Sequence, residues 1–215
     1  MQQSREIEIE DPSLSKEGFK QAEELGSYFK TTQIAHIYCS PFLRCLQTAT
    51  PISEKLGLPI KIEYGLRETF WEFTKNPKII TFEQSVKEFN IEKSYISHLN
   101  PIFPETIAET HERSANIIRI LNEKTEGDFV CVTHEYIVCG IVRGLLSKTS
   151  DEMDLGCPNA GIFKLSKNRN VEGWEIEIYA SVNHLTEPRK AFLGLEGNEL
   201  NLWLDYYNLK SLDDL

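Results

Sequence analysis

Two short apolar strands that each lead directly into a helix are the feature that most constrains this fold. Residues 34–39 form one apolar run, which ends at Ser40 and Pro41, and residues 128–133 form a second, which ends at His134. Apolar residues at helical spacing follow both runs. Strands that alternate with helices favour a mostly parallel sheet with helices on both faces. We therefore predict an α/β fold.

The rest of the chain continues this alternation, and we interpret residues 1–215 as a single domain. Ser15 is a suitable N-cap for a helix with an apolar stripe, and Thr106 has capping-box spacing to Glu109 ahead of a helix that reaches about Lys124. Further elements are expected as a helix around 82–89, a helix from His134 to Leu146, and short strands near 60–62, 161–165 and 174–180.

The helix after the first strand carries its own start and stop signals. Ser40 is a capping residue, and Pro41 suits the first helical position. Pro51 is expected to kink or restart this helix. Gly57 marks its end.

The charge balance limits the classes of partner. The chain has 23 lysines and arginines against 33 aspartates and glutamates, a formal net charge of −10. A surface of this sign repels nucleic-acid phosphates and anionic lipids, so we expect neither nucleic acid nor a membrane as a partner. An anionic ligand must instead be held by a few well-placed cations.

Cysteine usage and the N-terminal residues bear on the compartment. The five cysteines are an odd number without a CxxC pair, so the sequence favours neither a disulfide framework nor a metal site. The N-terminus lacks the apolar core of a signal peptide, and no apolar run is long enough to cross a bilayer. We therefore expect a cytoplasmic protein.

The two strand–helix junctions carry the candidate site residues. Arg44 lies in the opening turn of the first helix, and His134 lies where the second helix starts. If the strands are parallel neighbours, both side chains converge at one edge of the sheet, beside two helix N-termini that favour anions. Taken alone, Arg44 is also compatible with a solvated surface group and His134 with a helix cap. Together, in matched positions, they favour an anion site.

Four segments of the chain resemble motifs of the histidine phosphatase superfamily, which has the phosphoglycerate-mutase-like fold, and they occur in the same order as in that family. Residues 38–49 read Y-C-S-P-F-L-R-C-L-Q-T-A and are similar to its S-P-x-x-R-x-x-Q-T-A element. Residues 11–22 resemble its D-x-P-L-T-x-x-G-x-x-Q-A stretch, residues 65–68 its G-L-x-E segment, and residues 132–134 its second-histidine motif. The sequence of residues 38–45 most resembles the eukaryotic branch of UBA- and SH3-containing phosphatase-like proteins. The resemblance extends from about residue 11 to residue 165.

The resemblance implies a mechanism and a role for each matching residue. In the family a histidine attacks phosphorus, and water hydrolyses the phosphohistidine. Arg44 would hold the phosphoryl oxygens, and His134 would stabilise the phosphoryl group during transfer. Glu68 would protonate the leaving oxygen as general acid, although a plain loop carboxylate is an equal alternative, and Glu72 is the nearby fallback. No metal or organic cofactor is expected, because arginine and histidine meet the phosphoryl charge.

Two departures from the family pattern affect the expected activity. No histidine precedes His36, so the R-H-G motif that supplies the nucleophile is absent, and His36 itself lies inside a strand pattern. Glu135, which follows His134, is a carboxylate where the family usually has a small residue and could oppose a bound phosphate. The first central strand of the fold is also missing, so we expect an N-terminally incomplete and inactive chain.

Three functions remain open on the sequence alone. The first is a truncated or inactive phosphomonoester hydrolase whose ligand is phosphate or a phosphomonoester, on a small molecule or a phosphoprotein. The second is a non-catalytic phospho-ligand-binding or scaffold module, a pseudophosphatase, and the third is a purely structural subunit. Residues 64–105 should shape specificity, while the substrate, the oligomeric state and the tail from Leu193 stay unassigned.

Overall fold

The computed structural model describes residues 11–69, 78–102, 104–146, 157–168, 173–188 and 191. Predictions that concern residues 1–10, Glu72 or the tail from Leu193 lie outside these residues. In chain order the elements are α1 (Lys16–Phe29), β1 (His36–Cys39), α2 (Leu43–Leu56), β2 (Ile60–Ile62), a 3₁₀ turn (Tyr64–Leu66), α3 (Phe82–Glu88), α4 (Ile107–Lys124), β3 (Phe129–Val132), α5 (Glu135–Leu146), β4 (Ile162–Asn168) and β5 (Gly173–Ser181).

A parallel sheet lies at the centre of the described fold, in the strand order β2-β1-β3. In β1, Ile37 is paired with Ile60 of β2 on one side and with Val130 of β3 on the other. β4 and β5 form a separate antiparallel pair. The mostly parallel α/β sheet predicted from the sequence is confirmed.

The two faces of the sheet are covered by different helix pairs. Ile37 and Cys39 of β1 face a core that includes residues of α1 and α2, whereas Tyr38 between them faces a core built with α4 and α5. This alternation follows from the two-residue period of side chains along a strand. Helices on both faces of the sheet are thereby confirmed, and the layers fix how α2 and α5 approach the strand ends.

Helix α2 begins later than the sequence predicts. Its N-cap is Phe42, which makes no side-chain capping hydrogen bond, and Ser40 is not the cap because its hydroxyl is engaged elsewhere. The helix continues through Pro51 without restarting and ends at Gly57, whose φ of 67° is the left-handed conformation that favours glycine. The predicted end is confirmed, and the predicted cap is wrong.

The predicted caps of two other helices are confirmed. Ser15 accepts a hydrogen bond from the N–H of Gly18 at the start of α1, and Thr106 forms a reciprocal capping box with Glu109 at the start of α4. These local bonds satisfy N–H groups that have no partner inside the helix. Helix boundaries set by short-range chemistry are therefore well predicted.

One edge of β3 has no neighbouring strand among the described residues. Within the residues that the structure places, β3 pairs with β1 alone, and Phe129, Val130 and Cys131 are only half-buried. The predicted loss of a first central strand concerns residues before Asp11, which are not described. None of the helices in the described ranges is both long and apolar enough to cross a membrane.

Candidate active site

The site lies at the carboxyl ends of β1 and β3, where two chain segments turn towards α2 and α5. β1 and β3 are parallel neighbours with Cys39 opposite Val132, so Ser40 and His134 follow at the same edge. The Ser40 N–H donates to the carbonyl of Val132 at 2.9 Å and extends the pairing by one residue. Parallel strands in open α/β sheets place their ligand sites at this edge.

Arg44 and His134 are in direct contact. Nη2 of Arg44 lies 3.0 Å from Nδ1 of His134, and the Arg44 side chain keeps 28% of its surface exposed. His134 is buried, with its ring edge-on to Phe42 at a centroid distance of 5.0 Å. The structure therefore brings together the two residues that the junctions predict to converge. A partly exposed arginine thus lies beside a buried imidazole.

Glu68 completes a three-residue cluster. Its Oε2 lies 3.4 Å from Nη2 of Arg44 and 3.3 Å from Nδ1 of His134. Burial raises the pKa of this carboxyl, and Arg44 together with the Thr69 N–H opposes the rise. A carboxyl with a raised pKa keeps its proton to a higher pH than an ordinary glutamate, which suits a general acid.

His134 is held in its neutral form. Burial lowers its pKa well below the ordinary value, and the charges of Arg44 and Arg113 lower it further. A neutral imidazole keeps a lone pair available. In the free state His134 therefore adds no positive charge to that of Arg44.

Asp11 is a site residue for which the sequence analysis assigned no role. Its buried carboxylate accepts the N–H of Leu43 at 2.8 and 3.0 Å and the N–H of Ile80 at 3.2 Å, and it lies 3.7 Å from Nη1 of Arg44. Burial raises the pKa of Asp11, against these hydrogen bonds and Arg44. The N-terminus of α2 therefore already holds an anion of the protein itself. On α2, the group that can bind an anionic ligand is therefore the Arg44 side chain.

The turn before Glu68 is held through three of its carbonyl groups. Arg113 of α4 donates to the carbonyls of Gly65 at 2.7 Å and Arg67 at 3.0 Å, and Thr133 donates to the carbonyl of Leu66 at 2.7 Å. The guanidinium of Arg113 also forms two 2.7 Å hydrogen bonds with Glu105. Three consecutive carbonyls just before Glu68 thus have fixed partners.

A buried carboxylate anchors the other end of the same turn. Glu63 has no exposed surface and accepts hydrogen bonds from a set of side-chain and main-chain donors. These donors are the Tyr95 hydroxyl at 2.6 Å, the Ser97 hydroxyl at 2.6 Å, and the N–H groups of Gly65 at 2.8 Å, His98 at 2.8 Å and Leu99 at 3.2 Å. A buried carboxylate with this many donors is satisfied and rigid.

Comparison with known proteins connects this geometry to a family. A family model described as "Histidine phosphatase superfamily (branch 1)" matches residues 2–180. The chain belongs to the histidine phosphatase superfamily. It is 32% identical over 137 residues to an ecdysteroid-phosphate phosphatase of Drosophila melanogaster, covering 58% of this chain and 18% of that protein. It is 29% identical over 191 residues to the human ubiquitin-associated and SH3 domain-containing protein A, covering 77% of this chain and 28% of that protein.

Solved structures agree with the fold of the histidine phosphatases. The ecdysone phosphate phosphatase of Bombyx mori in complex with tungstate has a TM-score of 0.64 at 23% identity, over 82% of this chain and 76% of that chain. A mycobacterial glucosyl-3-phosphoglycerate phosphatase has a TM-score of 0.58 at 20% identity, over 80% of this chain and 88% of that chain. The phosphoglycerate-mutase-like architecture is therefore shown. The chain spans less than a third of the two curated relatives.

The remaining site predictions of the histidine phosphatase resemblance have different outcomes. Glu72, the fallback for Glu68, lies outside the described residues. Glu135 accepts the N–H of Cys157 at 3.1 Å, and its charge contributes to the raised pKa of Glu68. His36 lies at the start of β1, away from the site edge, and its Nδ1 accepts from Lys61 at 2.9 Å. The predicted location of His36 within a strand is thus confirmed.

Long-range contacts explain which site residues the sequence analysis missed. Asp11 and Arg113 act on residues 32 and 48 positions away, and neither has a local pattern that announces a partner. The signal available for Asp11 was its place in the quoted D-x-P-L-T-like stretch. Arg113 lies on the buried side of α4, where an arginine needs a partner, and that is the signal that could have found it.

Proposed function

We propose that this chain binds the phosphoryl group of a phosphomonoester between Arg44 and His134, at a site of the histidine phosphatase type. The observation that carries the proposal is the 3.0 Å contact between Arg44 Nη2 and His134 Nδ1, with Glu68 beside both. A guanidinium fork matches two phosphoryl oxygens and is the strongest side-chain ligand for them. Its exposed fraction leaves it accessible to a ligand.

The chemistry proposed for these residues follows from their electrostatics. Arg44 would neutralise the charge of the phosphoryl oxygens, and His134 would add a hydrogen bond to the same group. Glu68, whose pKa is raised by burial, would protonate the leaving oxygen. Each role requires that the phosphoryl group replaces the contacts among Arg44, His134 and Glu68 that the free site contains.

We further propose that the 215-residue chain does not turn over phosphomonoesters. The two-step transfer of the family needs an imidazole nucleophile in addition to His134. The chain has five histidines, and His134 is the one that lies in the Arg44 and Glu68 cluster; His36 is hydrogen-bonded to Lys61 at the start of β1. Binding without transfer is the expected behaviour of such a site.

A non-catalytic phospho-ligand module is the second candidate, and the same observation favours it. A site with one donor fork and one imidazole is sufficient to hold a phosphate group. The ecdysteroid-phosphate phosphatase among the relatives indicates an ecdysteroid phosphate as one ligand class, and a phosphoprotein is the second class that we consider. Small phosphomonoester and phosphopeptide ligands are therefore both included in the binding test.

The binding test uses the 215-residue chain with inorganic phosphate, tungstate and a phosphotyrosine peptide in titration calorimetry. We expect Arg44→Ala to weaken oxyanion affinity by about ten- to hundredfold, since hydrogen bonds to charged groups contribute about 1.5–3 kcal/mol. Arg44→Lys should retain part of the affinity because a point charge replaces a fork. The matched control is Arg119→Ala, which removes an exposed arginine of α4. Equal affinity of the Arg44→Ala variant and the unmodified chain would refute the proposal.

The turnover test uses a chromogenic phosphomonoester. We expect no release of product above the rate of a buffer blank. Turnover that disappears in both Arg44→Ala and His134→Ala would contradict the proposed inactivity while supporting the site. Binding without turnover would leave the peptide titration to separate the two candidate functions.

The compartment is a separate proposal that rests on the thiols. All five cysteines are free, and Cys39 and Cys45 are buried near the site. Free thiols without disulfides are typical of reducing compartments. We therefore propose a cytoplasmic location.

A further inference from the structure

Ser40, His134 and Glu68 have the spacing of a serine hydrolase triad. The hydroxyl oxygen of Ser40 lies 2.7 Å from Nε2 of His134, and Oε2 of Glu68 lies 3.3 Å from Nδ1. In a triad the serine donates to Nε2, and the acid accepts the proton carried by Nδ1. The direction of the hydrogen bonds therefore decides what this arrangement does.

Arg44 reverses that direction. A guanidinium has donors and no acceptor, and Nη2 of Arg44 lies 3.0 Å from Nδ1 of His134. Where Arg44 donates to Nδ1, this nitrogen presents a lone pair; the ring proton is then on Nε2, and the Ser40 hydroxyl oxygen accepts it. Ser40 is also fully buried. A hydroxyl without exposed surface is not presented to a substrate as a nucleophile.

We propose that Ser40 is a positioning residue that fixes His134 in the Nε2–H tautomer, so that an oxyanion binds together with one proton taken from solvent at Nδ1. This deepens the proposed function, and its binding half rests on that function. When an oxyanion takes the donors of Arg44, the lone pair of Nδ1 faces an oxygen that is also an acceptor. A proton on Nδ1 turns this repulsion into a charge-assisted hydrogen bond.

The groups around His134 oppose its protonation in the free site and favour it once an oxyanion is bound. The charged and titratable groups that face the ring or lie next to it are Arg44 and Cys45 on α2, Glu68 on the preceding turn, Arg113 on α4 and Glu135 on α5. Burial, together with the charges of Arg44 and Arg113, lowers the pKa of His134 and keeps the free imidazole neutral. Burial raises the pKa of Cys45 to about 12, so this thiol is not the proton source. An incoming dianion offsets the two cations.

The proton balance of the step is simple. In the free site Nε2–H is bonded to Ser40, and Nδ1 carries the lone pair. In the bound site a new N–H bond forms at Nδ1, the ring becomes an imidazolium, and the proton comes from solvent. Ser40 remains the acceptor for Nε2–H throughout. No bond to phosphorus or tungsten is made or broken.

The tautomer is read directly by long-range ¹H–¹⁵N correlation spectra of the labelled 215-residue chain at pH 8. We expect the Nε2–H pattern for His134, with the resonance assigned by its loss in His134→Gln. An Nδ1–H pattern would overturn the proposal. This measurement decides the tautomer even when no oxyanion binds, which separates it from failure of the proposed function.

Proton uptake is read by titrating tungstate at pH 8 in buffers that differ in ionisation enthalpy. We expect about one proton taken up per tungstate bound, and a fall to less than about half of that in Ser40→Ala, since the tautomer preference is lost. The control Ser13→Ala removes an exposed hydroxyl that bonds to Gln47 and should keep the full uptake. Binding by the unmodified chain without uptake would overturn the proposal. If Ser40→Ala does not fold, the spectra and the titration of the unmodified chain still decide it.

Discussion

The pKa values of two buried side chains beside Arg44 are shifted in opposite directions. The carboxyl of Asp11 has a raised pKa and the imidazole of His134 a lowered one, in both cases mainly because burial disfavours the charged form. Asp11 is nevertheless fixed by N–H donors from Leu43 and Ile80. His134 instead contacts a cation. In the free site a neutral imidazole therefore lies between an arginine and a serine.

Removing the carboxylate of Asp11 should destabilise the fold. Asp11→Ala leaves the buried N–H groups of Leu43 and Ile80 without acceptors, so we expect the free energy of unfolding to fall by about 1–3 kcal/mol. Asp11→Asn should lose less because its amide oxygen still accepts from Leu43. Urea denaturation measures both. Glu54→Ala, which removes an exposed carboxyl from α2, is the control, and an equal loss in Asp11→Ala and Glu54→Ala would be inconsistent with this role.

His134 should make stability depend on pH with a defined sign. Its folded pKa lies well below the unfolded value of about 6.5, so below that pH the unfolded chain binds a proton that the folded chain does not. Stability is therefore lost as the pH falls from 7.5 towards 5.5, by up to about 1.4 kcal/mol per pH unit from this group. Urea denaturation at both pH values should show a smaller loss for His134→Gln. A loss of the same size would contradict the buried neutral imidazole.

The 3₁₀ turn and its neighbours determine where Glu68 lies. The turn is anchored by Glu63 at its start, and its carbonyls are held by Arg113 of α4 and Thr133 at the end of β3. Gly65 is required there, because an added Cβ would lie 2.9 Å from the Ile117 side chain. The position of Glu68, the candidate general acid, therefore depends on the contacts of this turn with α4 and with the end of β3.

Breaking the Arg113 contacts should be costly. Arg113→Met leaves the buried Glu105 carboxylate without its cation and two carbonyls without donors, so we expect a loss of about 3–5 kcal/mol in the free energy of unfolding. Arg119→Met, which removes one exposed hydrogen bond from α4 to the carbonyl of Gly144, should cost no more than about 1.5 kcal/mol. Thermal or urea unfolding distinguishes them. Similar values for the two variants would show that the buried pair does not hold the turn.

For the molecule as a whole, local chemistry predicts the elements and long-range chemistry completes the site. The strand–helix junctions, the caps at Ser15 and Thr106 and the helix end at Gly57 could be predicted because each depends on residues a few positions apart. The convergence of Arg44 and His134 followed from one topological rule about parallel strands.

The rest of the site was not predictable in the same way. Asp11, Glu63 and Arg113 are charged residues whose partners are defined only once the chain has folded. Ser40 was predicted to cap a helix, and the capping pattern itself is sound. Here, however, the Ser40 hydroxyl contacts the imidazole of His134, which follows β3, and the helix begins at Leu43, two residues after the predicted start at Pro41.

The net charge of −10 makes the placement of Arg44 decisive for ligand binding. A crystal of the 215-residue chain soaked with tungstate measures that placement most directly. We expect a tungstate oxygen within about 3 Å of the Arg44 guanidinium and another within about 3 Å of Nδ1 of His134. A site in which Arg44 still contacts His134 and Glu68, with tungstate bound elsewhere or nowhere, would contradict the account.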